Sequence, residues 1–519
     1  MKTLLAAGLS GFAVLTVEIL GVHLLAPWFG TSALVWSQQI GLVLGAIALG
    51  GWLGGRIAAR TEVPWRVASI CLFVGGLLLV SGIFFLEPFA EALLPEGLTL
   101  DEAAAVFQRG SFTAALLFFV PPVLMLSMLS PLLVQIRSAE RGAGRAAGDL
   151  SAVGTLGSLG GVFFSTFIAI PSLGVRLTLI CTCFALVLAG ALLWKRKAIL
   201  PVAALPLALL LFPDPAHGAN LFPGATVLDV ADSPYQHLRV IEFEGGERWL
   251  QMNEGLDSFQ SVHREGQIWP GGYYDLFALA PLYARAGKAD STGPVKAWIL
   301  GYGAGSAMEP LRFGAADAGL EAVGVELDPA VVALGEQWMP LAPETRAMVQ
   351  VVAGADARSL LRASKESLDV VVVDAYTRQF EIPLHLATEE FFAEVHAHLA
   401  PGGILALNLG TTSSVDAGLG LLARIRKGLE ASFGEHVRLQ RVPKSRNWVI
   451  FARRDMAFPP LSELVDLVPE GVPIAVGAAC LPGQVRDGRT AVEGATPFTD
   501  DRNPLQLEQT SEWWQEAPR

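Results

Sequence analysis

The pattern of hydrophobic and polar positions divides the chain into two parts near residue 213. The first part is a succession of long apolar runs, and a helix needs about 20 such residues to cross the hydrocarbon layer of a membrane. The runs predict spans at residues 4–26, 36–58, 67–87, 112–136, 149–170 and 175–194. A shorter run at 198–213 contains three prolines, and whether it forms a seventh crossing stays open.

After residue 213 the pattern changes to short strands that alternate with helical stretches. Residues 226–252 predict strands joined by a hairpin at Gly245-Gly246. Further strands are predicted at residues 296–300, 321–326, 349–353, 369–374 and 403–409. This succession is typical of a mostly parallel sheet with helices on both faces. The predicted domains are a transmembrane domain (1–213), a small β-subdomain (214–290) and an α/β Rossmann-like catalytic domain (291–519).

The basic residues of the first part predict its orientation, because Lys and Arg are enriched in cytoplasmic loops. They cluster after the second, fourth and sixth spans, as Arg56, Arg60, Arg66, Arg137, Arg141, Arg145, Lys195, Arg196 and Lys197. The segment between the third and fourth spans is instead acidic. Six spans with both ends in the cytoplasm fit this distribution, which predicts a multi-pass protein of a cell membrane with a cytoplasmic catalytic domain.

The charge and the cysteine content of the chain limit the kinds of ligand that it is expected to bind. The whole chain carries 37 basic and 49 acidic residues, of which residues 1–213 hold 12 and 9. The remaining 306 residues are therefore acidic, with a net charge of −15. Such a balance argues against nucleic-acid binding, which needs a basic surface, and suits a cationic substrate. Four cysteines form no disulfide framework, and no metal-ligand cluster appears.

Two features of the apolar half stand out from the background of packing residues. Glu18 is an ionisable group near the middle of a predicted span, where it is costly unless it has a partner. A structural hydrogen bond and a ligand contact are both open for it. The glycines of "GTLGSLGGVFF" (154–164) predict close packing between helices. The apolar half could serve as an anchor, a platform for a lipid substrate or a small carrier.

The stretch "VKAWILGYGAGSAMEPLRFG" (295–314) predicts a strand, a glycine turn and a helix. Gly301, Gly303 and Gly305 let the backbone approach a ligand, and the helix N-terminus presents unpaired N–H groups. Glu326 ends the next strand, where an acid can bind ribose hydroxyls. The spacing therefore predicts a nucleotide site.

Acidic residues also follow the third and fourth strands of this domain. Asp356 could meet an adenine amino group, and Asp374 lies where reacting groups collect at the carboxyl edge of a parallel sheet. Dinucleotide binding is the rival interpretation. The acid after the third strand and the "DAY" after the fourth favour adenosyl-methionine binding.

These residues resemble the spermidine synthase family of aminopropyltransferases, in particular its membrane-fused bacterial members. The segment "DSPYQHLRVIEF" (232–243) is similar to the family's β-domain with its Tyr-Gln pair, here Tyr235 and Gln236. "YYDLFALAPLY" (273–283) resembles the Tyr-His-Glu segment, with Tyr273 and Asp275 in the outer positions. "PFTDDRNP" (497–504) is similar to the ending of fused members.

The resemblance implies that the cosubstrate is S-adenosylmethionine or its decarboxylated form. It also implies that the protein lies in a bacterial inner membrane. It implies that Glu326 holds the ribose and Asp356 the adenine, with the sulfonium near the glycine turn. A neutral amine would attack the carbon next to the sulfonium and release methylthioadenosine. Asp374 is then the catalytic candidate, while Tyr235, Gln236, Tyr273 and Asp275 would position the amine. The acceptor is a soluble or membrane-delivered amine; homo-oligomerisation is left open.

The chain departs from the family at two positions. The acid of the family's glycine loop is Ala304 here, and the second acid of the fourth-strand motif is Thr377. Arg378 adds a cation beside it. These changes leave two alternatives open, a methyltransferase that uses the same pocket and a non-catalytic polyamine transporter or sensor.

Overall fold

The computed structural model describes residues 1–29, 33–93, 100–194, 224–252, 259–286, 293–376, 382–411, 420–460, 463, 471–481, 484–487, 495–501 and 505. By their internal contacts the described residues form two compact units. The first contains the helices up to Trp194 together with Val230–Leu238, and the second contains nearly all of the described chain from residue 239 onward.

The first unit is a bundle of apolar helices. They are α1 Lys2–Phe29, α2 Ala33–Ala58, α3 Pro64–Leu79, α4 Ser81–Leu93, α5 Leu100–Phe118, α6 Val120–Ser127, α7 Leu129–Arg141, α8 Ala143–Phe164 and α9 Ile170–Trp194. Within the described residues, five helical segments are long and apolar enough to cross a membrane. The number is six if α3 and α4, bent by 40°, form one span. The six predicted spans coincide with these segments, while the run 198–213 lies outside the described residues.

Glycines bring α1 and α8 into backbone contact, as the glycine pattern of residues 154–164 predicts. A Cβ atom built on Gly157 would stand 2.0 Å from the carbonyl oxygen of Gly8. One built on Gly161 would stand 2.3 Å from the carbonyl oxygen of Phe12. Ser158 Oγ donates a hydrogen bond to the Gly11 carbonyl at 3.2 Å. Larger residues at these glycines would separate the two helices.

A four-stranded sheet comes next in the chain, in the order β1-β2-β3-β4. Its strands are β1 Thr226–Asp232, β2 His237–Glu242, β3 Glu247–Met252 and β4 Phe259–Arg264. Gly245 and Gly246 form the predicted turn between β2 and β3, with φ angles of +109° and +82° that favour glycine.

The second unit is built on an eight-stranded sheet. Its strands are β5 Val295–Leu300, β6 Leu320–Glu326, β7 Val349–Ala353, β8 Leu368–Val373, β9 Leu399–Gly410, β10 Val437–Arg441, β11 Asn447–Arg453 and β12 Val485–Asp487, in the order β12-β10-β11-β9-β8-β5-β6-β7. Strands β5 to β9 pair in parallel, and β11 and β10 continue the sheet in antiparallel pairing. The prediction of a mostly parallel sheet is confirmed.

Helices accompany this sheet: α10 Leu279–Arg285, α11 Met308–Ala315, α12 Pro329–Trp338, α13 Pro343–Arg346, α14 Ala357–Ala363, α15 Glu389–His398, α16 Leu421–Phe433 and α17 Ile474–Ala479. Successive residues of the central strands enter two separate hydrophobic cores, because strand side chains alternate between faces. Ile299 belongs to one core and Leu300 to the other. Both faces of the sheet are therefore buried, as expected of a Rossmann-like domain.

Strand β5 lies between β6 and β8, so the direction of strand order reverses beside it. Ligands of open α/β sheets bind at such a reversal, outside the carboxyl ends of the strands. Gly301 follows β5 and Asp374 follows β8. The fold therefore brings the glycine turn and the predicted catalytic acid to one place.

Candidate active site

The glycine turn after β5 adopts a conformation that requires its glycines. Gly301, Gly303 and Gly305 have φ angles of +88°, +58° and +88°, which residues with a Cβ rarely adopt. A Cβ on Gly301 would also stand 2.6 Å from the backbone nitrogen of Ala375, and one on Gly303 would stand 2.7 Å from Ser261 Oγ. These glycines therefore let the turn pack closely against the end of β8 and against β4.

Glu326 is oriented by two backbone N–H groups. Gly303 donates to its Oε2 at 2.9 Å, and Asp328 donates to its Oε1 at 3.1 Å. Burial raises the pKa of this carboxyl, and the hydrogen bonds from Gly303 and Asp328 act in the opposite direction. Each oxygen keeps further acceptor capacity, so a pair of neighbouring hydroxyl groups could donate to them.

Strand β4 forms a side wall of the glycine turn through serine hydroxyls. Ala304 N donates to Ser261 Oγ at 2.9 Å. Ser306 Oγ accepts from Val262 N at 2.9 Å and donates to the Val262 carbonyl at 3.0 Å. Neither serine was predicted from the sequence. The strand and the turn are about forty residues apart, and no local pattern indicates their contact.

Asp356 caps helix α14 and also contacts a histidine. Its Oδ1 accepts from Ser359 N at 2.8 Å, and its Oδ2 lies 2.8 Å from His385 Nε2. Although burial raises the pKa of Asp356, the hydrogen bonds from Ser359 and His385 lower it below its ordinary value. The carboxylate follows β7 as predicted, but it already holds partners that an adenine amino group would have to displace or share.

Asp374 lies at the end of β8, among hydrogen-bond donors and aromatic rings. Asn408 Nδ2 donates to Asp374 Oδ1 at 2.9 Å, and the Tyr273 hydroxyl lies near enough to this carboxyl group to lower its pKa. Burial raises the pKa of Asp374 to about 8, and the Asn408 amide and the Tyr273 hydroxyl oppose that rise. The site thus holds a carboxyl group that can exchange a proton near neutral pH.

Two tyrosine rings in contact, tilted by 32° to each other, border Asp374. The ring centroids of Tyr273 and Tyr274 are 4.1 Å apart, and the Tyr274 hydroxyl donates to the carbonyl of Gln260 in β4 at 2.9 Å. Aromatic faces beside a carboxylate attract cations. The arrangement suits an amine or a sulfonium group.

The other predicted substrate residues are placed differently. Asp275 is 2% exposed, and its Oδ1 accepts from Gly271 N at 2.8 Å, so it stabilises the turn that precedes the tyrosines. Tyr235 is exposed and Gln236 is buried in Val230–Leu238, which groups with the helical unit. The roles of Tyr235, Gln236 and Asp275 toward an acceptor stay predictions. Thr377 and Arg378 lie outside the described residues.

The segment similar to the ending of fused relatives packs beside Asp356. Asp500 accepts two hydrogen bonds from Arg358, at 2.7 and 2.8 Å, and a third from Thr388 Oγ1 at 2.8 Å. Arg358 is 4% exposed and also donates to the carbonyl of His385 at 2.8 Å. The C-terminal segment around Asp500 therefore stabilises the turn that carries His385, the hydrogen-bond partner of Asp356.

Among the described residues, no group of three or more His, Cys, Asp or Glu side chains could hold a metal ion.

Parts of the chain are similar to known proteins. A family model described as "Methyltransferase domain" matches residues 299–407. A "Probable polyamine aminopropyl transferase" from Bifidobacterium longum is 31% identical over 225 residues, which are 43% of this chain and 46% of the relative. The chain thus spans about half the length of the curated relative it matches.

Solved structures of spermidine synthases are also similar. A probable spermidine synthase from Corynebacterium glutamicum is 22% identical with a TM-score of 0.38, and the match covers 54% of this chain and 97% of that one. The spermidine synthase of Thermotoga maritima is 19% identical with a TM-score of 0.36, over 50% of this chain and 85% of the other. The predicted resemblance to spermidine synthase-like transferases is confirmed by the curated relative.

Proposed function

We propose that this chain is a membrane-bound transferase that moves a group from an adenosyl-sulfonium donor to an amine. The donor is S-adenosylmethionine or its decarboxylated form, and the expected by-product is methylthioadenosine. One observation carries the proposal. Asp374 and the Tyr273–Tyr274 pair lie at the strand-order reversal that also holds the glycine turn.

The described residues fit the donor's nucleoside. Gly301 packs against the Ala375 backbone and Gly303 against Ser261 Oγ, which holds the glycine turn at the carboxyl end of the sheet, where ligands of such folds bind. Glu326 is held by its two N–H partners with acceptor capacity to spare for ribose hydroxyls. The negative charge of Asp374 and the faces of the tyrosines would stabilise a sulfonium cation.

The chemistry requires a base at the place where the amine reacts. The amine lone pair forms a C–N bond as the C–S bond breaks, and the sulfur keeps the bonding pair and leaves as a neutral thioether. The nitrogen becomes cationic and must lose one proton. Asp374 can accept that proton, because a neighbouring sulfonium lowers the pKa of this carboxyl from its value of about 8 in the free protein.

Methyl transfer from the same donor is the second candidate. The match of residues 299–407 to a methyltransferase model favours it. The loss of the two family acids at Ala304 and Thr377 also favours it, since those acids would recognise a polyamine. In that reaction the by-product is S-adenosylhomocysteine instead of methylthioadenosine.

The helical unit supports a location in the bacterial inner membrane. Its helices have the required length and apolarity, and the basic clusters after the second, fourth and sixth spans favour a cytoplasmic location for both ends of the unit. A catalytic unit carried on such a bundle would meet a membrane-delivered amine directly. Cysteine-labelling of intact cells at introduced loop positions tests this orientation.

The reaction is tested by product analysis of the detergent-purified full-length protein. It is incubated with each donor form, separately with a soluble diamine and with a lipid extract, and the nucleoside product is identified by mass spectrometry. Methylthioadenosine supports the proposal, and S-adenosylhomocysteine supports methyl transfer. Donor binding with neither product identifies a sensor or carrier. The Glu326→Gln variant is the control for donor-dependent signals.

A further inference from the structure

Three side chains form a continuous series of hydrogen bonds that ends at Asp374. The Ser445 hydroxyl donates to Asn447 Oδ1 at 2.8 Å, and Asn447 Nδ2 donates to Asn408 Oδ1 at 2.9 Å. Asn408 Nδ2 then donates to Asp374 Oδ1 at 2.9 Å. We call Ser445, Asn447 and Asn408 the amide relay.

The relay has a fixed polarity. Ser445 Oγ accepts the backbone N–H of Asn447 at 3.1 Å, and a backbone N–H can only donate. The serine proton is directed to Asn447 Oδ1 at 2.8 Å, and the amide nitrogen of Asn447 faces Asn408 Oδ1. A reversed Asn408 would set its oxygen against Asp374 in its ionised form and its nitrogen against that of Asn447. Both contacts of the reversed state are unfavourable, so Asn408 presents a donor to Asp374.

The relay is also held rigidly by the sheet. Asn408 is 1% exposed in β9, and it is paired in register with Val449 of β11, two residues beyond Asn447. The Tyr376 hydroxyl donates to the Asn408 carbonyl at 2.8 Å and accepts from Gly410 N at 3.1 Å. Side chains on one face of an antiparallel pair reach each other across such a diagonal. Asn408 therefore has little freedom to turn away from Asp374.

We propose that Asn408, held by Asn447 and Ser445, is a positioning residue that fixes the direction of the Asp374 carboxylate and favours its ionised form. A donated N–H stabilises an ionised carboxylate more than a protonated one. With one oxygen engaged by Asn408, the carboxylate directs its remaining acceptor capacity toward Tyr273 and a reacting amine. The catalytic interpretation rests on the proposed function, whereas the effect of the relay on Asp374 does not.

The titration of Asp374 tests the relay without reference to turnover. The infrared band of the protonated carboxyl group is followed with pH in the full-length protein, and its loss in Asp374→Asn assigns it. We expect Asn408→Leu to raise the midpoint by about one pH unit, since the lost bond is worth about 1.4 kcal/mol or more. Asn447→Leu should move it in the same direction by less, because Asn408 keeps its donor but loses its orientation.

Gln440→Leu is the matched control. Gln440 is a fully buried amide of the neighbouring strand β10, bonded to the Tyr283 hydroxyl at 3.0 Å and to the Ala479 carbonyl at 3.2 Å. It should lose stability but keep the wild-type midpoint. Ser445→Thr keeps the hydroxyl and should also keep that midpoint. The proposal is overturned if the titration midpoint of Asp374 in Asn408→Leu equals that in Gln440→Leu. If Asn408→Leu does not fold, the proposal is overturned by an unchanged midpoint in Asn447→Leu.

The pH profile of turnover separates the relay from the reaction. If the protein is a transferase, the acidic limb of the kcat profile moves upward with the infrared midpoint in the relay variants and not in Gln440→Leu. A shifted midpoint in a protein with no turnover on any donor leaves the relay standing and defeats the proposed function. Transferase activity combined with unmoved midpoints defeats the relay and leaves the proposed function standing.

Discussion

The backbone of Gly301 lies against that of Ala375, so close that a Cβ on the glycine would stand 2.6 Å from the Ala375 nitrogen. This contact joins the end of β5 to the end of β8, and it sets the distance between the glycine turn and Asp374. The site is therefore assembled by backbone packing before any side chain contributes.

Gly301→Ala should abolish donor binding. The substitution combines a φ of +88° with a backbone clash, which would move the loop away from the carboxyl end of β8. Gly246→Ala is the control, because Gly246 has a similar φ of +82° and open space around it. Both variants should lose roughly 1–2 kcal/mol of stability from the left-handed conformation. Calorimetric titration with donor should show lost binding in Gly301→Ala alone; equal affinities would contradict this account of the loop.

Glu326→Gln should weaken donor binding tenfold or more. A charge-assisted hydrogen bond contributes about 1.5–3 kcal/mol, and the amide offers one acceptor oxygen instead of two. Glu321→Gln, an exposed position of the same strand, removes the same charge and should leave the affinity unchanged. Equilibrium dialysis with labelled donor measures both. A wild-type dissociation constant in Glu326→Gln would remove this residue from the donor site.

Asp374→Asn should retain donor binding within a few-fold and lose most of its turnover. The amide keeps the size of the side chain but cannot accept the proton that the amine must lose. Removal of a general base usually costs about 10²–10⁴-fold in rate. Single-turnover measurements separate chemistry from donor release. A wild-type rate of the chemical step would show that Asp374 is not the base.

Asp374 should also make the stability of the protein depend on pH. Its pKa of about 8 in the folded chain lies above the value of 3.8 for an unperturbed aspartate, so the folded state keeps a proton that the unfolded state loses. The contribution of this group is complete below the unfolded pKa and declines as pH rises to about 8. The slope is at most about 1.4 kcal/mol per pH unit.

Denaturant unfolding of wild type and Asp374→Asn, at several pH values between 4 and 9, isolates this contribution. The stability of the wild type relative to the variant should fall as the pH rises to about 8 and become constant above that value. A difference that does not change with pH would mean that Asp374 titrates at its ordinary value in the folded protein.

Asp500→Asn should lower stability by about 1–3 kcal/mol, because it weakens two hydrogen bonds to the buried guanidinium of Arg358. Donor affinity should fall as well, since Arg358 also holds the carbonyl of His385, the partner of Asp356. Asp501→Asn is the control: this neighbour is exposed. Thermal unfolding and donor titration measure both effects. If the two variants behave alike, the C-terminal segment does not support the site.

Local patterns in the sequence were sufficient for the glycine turn, the strands and the helical spans. The strands predicted at 321–326 and 349–353 match β6 and β7 to within one residue at each end. They could be predicted because alternating and continuous apolar runs are local properties of the chain. The reversal of strand order beside β5 then follows from the usual topology of such sheets.

Contacts between distant strands could not be predicted. Asn408 meets Asn447 only because β9 and β11 pair in one particular register, and the two residues are 39 positions apart. The one available signal was a polar residue inside the apolar run "GILALNLG" (403–410). The contact of Asp275 was not predictable either, because the conformation of the turn at Gly271, with φ of +94°, places the carboxylate of Asp275 on a backbone N–H. Its role toward an acceptor stays a prediction.

The most direct test of the central claim follows the carbon atoms of the donor. The protein in detergent is incubated separately with S-adenosylmethionine and with its decarboxylated form, each labelled with carbon-13 in the three-carbon arm, in the presence of a membrane extract and a soluble diamine. The account predicts that the label appears on an amine in equal amount to the methylthioadenosine released, and that Asp374→Asn abolishes both. Label that stays entirely in the intact donor, while bound donor is demonstrated, would contradict it.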